Sequence, residues 1–165
     1  MKYLASLLLL LLVLAGTLYV VWQPTRDTPV VAPSPQHTEL ASRANAHIQQ
    51  RQYPEALAEI DAALAQAPDH AQYRFLQCLL RERLGQAEAL ARDCYAQVAA
   101  QLARTEAECE ADLNCVVADL MAQGPDAEAR RQRLLALPTP TAELEARHFL
   151  LEGFSREGYL RTILP

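Results

Sequence analysis

Leu4 to Trp22 is a run of 19 residues without a charged side chain. As a helix rising about 1.5 Å per residue it would cover roughly 28 Å, the depth of a bilayer's hydrocarbon layer. A cleavable secretory peptide has a shorter apolar stretch, about 7–15 residues, ahead of a small-residue cleavage site. Here Tyr19, Val20, Val21 and Trp22 carry the run past Ala15-Gly16, so residues 1–22 are expected to be an uncleaved signal anchor. Leu14-Ala15-Gly16 has the form that precedes a lipidated cysteine, but Thr17 stands in the cysteine's place, which argues against lipid attachment. Lys2 and the terminal amine precede the span, and Arg26 is offset by Asp27 after it. The positive-inside bias then keeps the short end in the cytoplasm. The expectation is a single-pass protein of a bacterial inner membrane with its carboxyl-terminal part in the periplasm.

After the span, residues 23–36 contain Pro24, Pro29, Pro33 and Pro35 with no apolar periodicity, which describes an extended, semi-rigid linker. From His37 onward the chain is rich in helix formers, and with only 5 glycines in 165 residues and few β-branched runs it predicts an all-α fold. A hydrophobic content of 51% is enough for a packed core. Breaks are expected near Gln52-Tyr53-Pro54, Pro68-Asp69, Gly85-Gln86, Gly124-Pro125, Pro138 to Pro140 and Gly153, giving successive antiparallel helices. In the second of them Leu57, Ile60 and Leu64 form an apolar stripe. Ala56, Ala63 and Ala67 keep the adjacent face narrow enough for close helix approach.

The spacing of Leu40, Ala44, His47, Ala56, Ile60, Ala63 and Pro68 resembles the tetratricopeptide repeat pattern W-x2-L-G-x2-Y...A-x3-F-x2-A-x4-P. Arg43 departs from the usual Leu and His47 from the usual Tyr, which makes the first helix more polar and suits a terminal repeat facing solvent. Advancing by the family's ~34-residue period carries Ala44 to Cys78, Ala56 to Leu90 and Ile60 to Cys94, and Gly85 falls at a hairpin turn. Leu90 and Gln97 stand where small residues belong and no proline follows near Leu102, so the second repeat reads as degenerate, with a lengthened second helix. Tetratricopeptide-like repeats are thus expected over residues 37–104. Residues 105–165 should form a degenerate repeat or capping helices, with helix caps at Asp126, Thr141 and Ser155.

Four cysteines outside the cytoplasm point to disulfides, with three possible connectivities. If Gly85-Gln86 is a turn, Cys78 lies 7 residues before it and Cys94 lies 8 after, each about 11–12 Å from the turn on facing helices. That geometry favours Cys78 with Cys94 and leaves Cys109 with Cys115. On one unbroken helix the second pair would point to different faces, so a helix break is expected at Asp112 to Asn114. The alternatives are buried thiols, or a zinc site, which the absence of C-x2-C spacing disfavours.

Other chemistry finds no motif. His37, His47, His70 and His148 lie apart from any H-E-x-x-H pair, and neither a phosphate-cradling glycine loop nor G-x-S-x-G is present. A formal net charge of -5 gives no electrostatic reason to approach nucleic acid. No enzymatic activity, cofactor, metal or small-molecule substrate is expected. Arg130, Arg131 and Arg133 read as a solvated face beside Glu128. The resemblance implies a concave surface lined by the first helix of each pair and binding a protein or peptide partner. Asn45, Gln49, Gln52, Arg74, Gln77 and Arg81 are its candidate residues. The expected role is a membrane-anchored adaptor in envelope complex assembly or secretion, and the alternative is a structural subunit buried permanently in a larger membrane complex.

Overall fold

A computed structural model describes residues 35–105, 109, 111–138 and 140–165. The anchor expected over residues 1–22 and nearly all of the linker lie outside the described residues. Among the described residues the fold is all-α, with no strand, and no helix is long and apolar enough to cross a membrane.

The first hairpin pairs α1 (Gln36–Gln49) with α2 (Tyr53–Gln66). Leu40, Ala44 and Ile48 recur every four residues on the buried stripe of α1, and Ala56, Ile60, Ala63 and Leu64 form that of α2. Ala44, Ala56, Ile60 and Ala63 lose all solvent contact, so the seam is closed by small side chains. Pro54 lies in the first turn of α2, where its missing N–H leaves no helical bond unmade. The two polar departures from the repeat pattern join the hairpin at its surface. The guanidinium of Arg43 donates from Nε and Nη2 to the two oxygens of Glu59, and the ring of His47 bonds Gln52 at 2.7 Å.

The second hairpin is α3 (Ala71–Arg83) with α4 (Glu88–Thr105). Its turn is a Schellman motif: Gln86 N–H donates to the Arg81 carbonyl and Gly85 N–H to that of Glu82. Gly85 takes φ +96° there, a left-handed conformation that costs glycine little. This connection, Leu84 to Ala87, is one residue longer than Gln50 to Gln52 in the first hairpin. The inward stripe of α4 is shifted accordingly. Ala91, Tyr95, Val98 and Leu102 are buried, whereas Leu90, expected to pack like Ala56, is 56% exposed, and Cys94 is only half-buried. Buried Ala44 and Cys78 are 34 residues apart, and buried Ala56 and Ala91 are 35 apart.

Beyond α4 follow α5 (Leu113–Ala122), α6 (Ala127–Ala136), α7 (Thr141–Leu151) and α8 (Arg156–Ile163). The helix break lies between Thr105 and Leu113, slightly before the expected place, because the Asp112 carboxylate accepts the Cys115 N–H and starts α5. Of the other expected caps, Ser155 accepts the Gly158 N–H. Asp126 holds the cap position of α6 without a side-chain bond, and Thr141 is the first residue of α7 with Pro140 before it.

Helices α1 to α7 each pack on the next. α5 is buried round most of its circumference by Cys115, Val116, Val117, Ala118, Leu120 and Met121. These side chains share one core with Tyr95 and Leu102 of α4 and with Leu134 of α6. Helices on both sides of residue 104 thus contribute to that core. α8 departs from the sequential order and returns to the second hairpin.

Candidate partner-binding surface

Two disulfides set the frame. Cys78 on α3 and Cys94 on α4 are bonded with α-carbons 5.9 Å apart, and Cys109 and Cys115 are bonded with α-carbons 5.5 Å apart. Both separations lie where an S–S bond needs them. This is the connectivity expected from the Gly85 turn, and no cysteine is left as a thiol.

The six residues expected to line the binding surface do not share one environment. Asn45 and Gln49, one turn apart on α1, are exposed. Gln52 is exposed in the α1–α2 turn and holds His47. On α3 the residues Arg74, Gln77 and Arg81 turn toward α2 and the loop after it. Arg74 donates to the Pro68 carbonyl at 3.0 Å, Gln77 is buried and donates to Asp61, and Arg81 pairs with Asp61 at 3.6 Å. Gln77 thus spends its side-chain amide on an interhelix bond. Of the three, Gln77 is covered by α2, whereas Arg81 keeps 42% of its side-chain surface in solvent.

A different stripe of α3 carries the concentrated chemistry. Phe75 and Glu82 lie two turns apart, and α8 is laid against them. Arg156 at the head of α8 reaches Glu82 at 2.6 Å and Glu88 at 2.9 Å. The arginine and Glu82 side chains are only 11% and 16% exposed. The other oxygen of Glu82 accepts the Tyr95 hydroxyl at 2.7 Å, and the Arg156 guanidinium lies 5.9 Å from the centre of the Tyr95 ring. Phe75 packs against Tyr95 at 5.5 Å and Tyr159 at 6.3 Å between ring centres. Burial and then the bond to Glu82 push the Tyr95 phenol far above its ordinary range, and burial pushes Tyr159 up to about 12. Both rings therefore stay neutral hydrogen-bonding groups at physiological pH. At the far end Tyr53 donates to the Pro165 main-chain oxygen, and its ring lies 5.2 Å from the Arg83 guanidinium. Sequence reasoning missed this cradle. Its one trace was the spacing of Arg156, Tyr159, Leu160 and Ile163, a half-polar stripe that needs a landing surface.

Elsewhere polar groups hold helices together. Arg130 meets Asp119 at 3.4 Å, and burial raises the Asp119 carboxyl above its usual range against the pull of Arg130. Arg131 clasps Glu128 and donates to the Leu151 carbonyl at 2.7 Å, tying α6 to the end of α7. The basic cluster read as a solvated face is at these two positions a set of interhelix ties. His70 stacks on Tyr73 with ring centres 3.6 Å apart, and His37 lies 3.3 Å from the Tyr73 hydroxyl. Burial, then the nearby His37, lowers the His70 pKa. Among the described residues no three His, Cys, Asp or Glu side chains converge as a metal site would require.

The chain was compared with known proteins on three levels, and no family model matches it, no curated protein matches it, and no solved structure matches it.

Proposed function

We propose that this chain is a membrane-anchored adaptor whose tetratricopeptide-like helical hairpins bind a protein or peptide partner on the extracytoplasmic side. The observation that carries this reading is the pairing of rigid hairpins with an exposed polar helix face. The Ala44, Ala56 and Ala63 seam and the Cys78–Cys94 bond brace the scaffold, while Asn45 and Gln49 stand open on α1. Such a surface recognises a partner by shape and a few polar anchors and has no need of bond chemistry. The uncharged Leu4 to Trp22 run supports tethering at a bilayer, and the disulfides support an oxidising compartment such as the periplasm.

The alternative, a subunit buried permanently in a larger complex, draws support from Phe149, which is 75% exposed on α7. Affinity capture of the full-length protein from its native membrane separates the two readings. The adaptor should lose its recovered partners when Asn45→Glu and Gln49→Glu are combined. A permanent subunit should keep the same partners, and unchanged recovery would remove α1 from the binding surface.

A further inference from the structure

Helix α8 is held as a bound peptide is held. It has eight residues and none is fully buried. Arg156, Tyr159, Leu160 and Ile163 form its inward stripe, and the last three are partly buried against the core. Its fixed points are the Arg156 ion pairs, the Phe75–Tyr159 ring contact, the buried Leu164 and the Tyr53 bond to Pro165. The chain enters it through Gly153, which has φ +68° and open space around its α-carbon. A surface pocket of about 180 Å³ lies at the junction between Phe149, Leu150, Phe154, Tyr159 and Thr162. A short terminal element docked by a few side chains, with a glycine joint and a surface pocket at its base, belongs to the part of a fold that opens locally.

The cradle also dictates what can replace α8. If the helix leaves, Glu82 keeps the Tyr95 hydroxyl but loses the Arg156 cation, so its free oxygen is open to water and to an incoming guanidinium. Glu82 and Glu88 present two carboxylates to a planar donor, and Phe75 and Tyr95 supply rings beside them. We propose that this α3–α4 cradle binds an arginine-led amphipathic helix of a partner protein, with an aromatic residue three positions after the arginine, and that Ser155 to Pro165 fills the site as an internal stand-in which the partner displaces. The proposal rests on the adaptor reading and adds a second contact surface to the Asn45 and Gln49 face of α1.

The test uses the full-length protein in detergent and a fluorescent peptide of its own residues 153–165, followed by anisotropy. Arg156→Ala in the protein raises the fraction of empty cradles, so the peptide should bind about tenfold tighter or more than to the wild type. Adding Glu82→Gln should abolish that gain, and a peptide with Arg156 replaced by Ala should not bind. Equal affinity for wild type and Arg156→Ala, or equal binding of the two peptides, overturns the proposal. A second measurement covers the case in which Arg156→Ala does not fold. In the wild type, amide exchange over 159–163 should run at least about a hundredfold faster than over 98–102 on α4, and equal protection overturns the displaceable strap. Light scattering that shows a dimer linked by exchanged α8 makes a second copy the occupant and also overturns the partner assignment. Peptide binding needs no native partner, so it is independent of membrane capture. Failed peptide binding with partners still lost on changing Asn45 and Gln49 removes the cradle alone, whereas peptide binding without captured partners removes the adaptor reading.

Discussion

Cys78 and Cys94 face each other across the second hairpin with α-carbons 5.9 Å apart, on either side of the left-handed Gly85. The bond closes 16 residues of chain and fixes the two helices that form the floor of the α8 cradle. By the chain-entropy account a loop of this size is worth about 3 kcal/mol, and the 6-residue Cys109–Cys115 loop about 2. Urea unfolding with and without reductant should show a loss of that order. The double variant Cys109→Ser/Cys115→Ser should lose less than Cys78→Ser/Cys94→Ser.

Ala56 is fully buried in the α1–α2 seam. Ala56→Leu should overpack it and lower stability by roughly 1–3 kcal/mol, read as a lower midpoint in the same unfolding experiment. An unchanged midpoint would mean that the two helices do not approach through small side chains.

Gly85 has open space where a Cβ would stand, so only its backbone conformation opposes substitution. Gly85→Ala should cost about 1–2 kcal/mol from the left-handed φ alone. Stability unchanged by this variant would contradict the Schellman turn.

Two carboxyls bend the pH dependence in opposite directions. Arg131, and then Gln132, hold Glu128 down to about 2 from an ordinary 4.5. Its contribution is present above about 4.5 and is lost as pH falls toward about 2, so Glu128→Gln should flatten that acid limb. Asp119 is raised by burial above an ordinary 3.8. The folded state then binds the extra proton, and stability declines as pH rises from about 3.8 through the raised value. Asp119→Asn should remove that decline. Unfolding midpoints measured across the acid range check both signs, and a steeper acid limb in Glu128→Gln would refute the first.

Much of the architecture was readable because its determinants are local. Pro54, Pro68, Gly85, Gly124 and Gly153 each mark a connection through their own backbone preferences, and the Cys78–Cys94 bond follows once the turn between them is known. The binding face was less readable, because periodicity shows that α3 has stripes but not which neighbour takes each. Arg74, Gln77 and Arg81 are engaged by Asp61 and Pro68, and Phe75 and Glu82 meet α8. The one-residue lengthening before α4 puts the buried position at Ala91 and leaves Leu90 exposed, a shift that a fixed repeat period cannot express. The return of Arg156 to Glu82, 74 residues apart, has no local signature.

The hydrocarbon surrounding α5 bears on how the protein is made. A chain that has emerged from the ribosome only as far as Gly124 can lay α5 on α4 but lacks α6, whose Leu134 completes the core around Val116, Val117 and Met121. A fragment ending at that point would leave part of the α5 surface uncovered and prone to stick to its own copies.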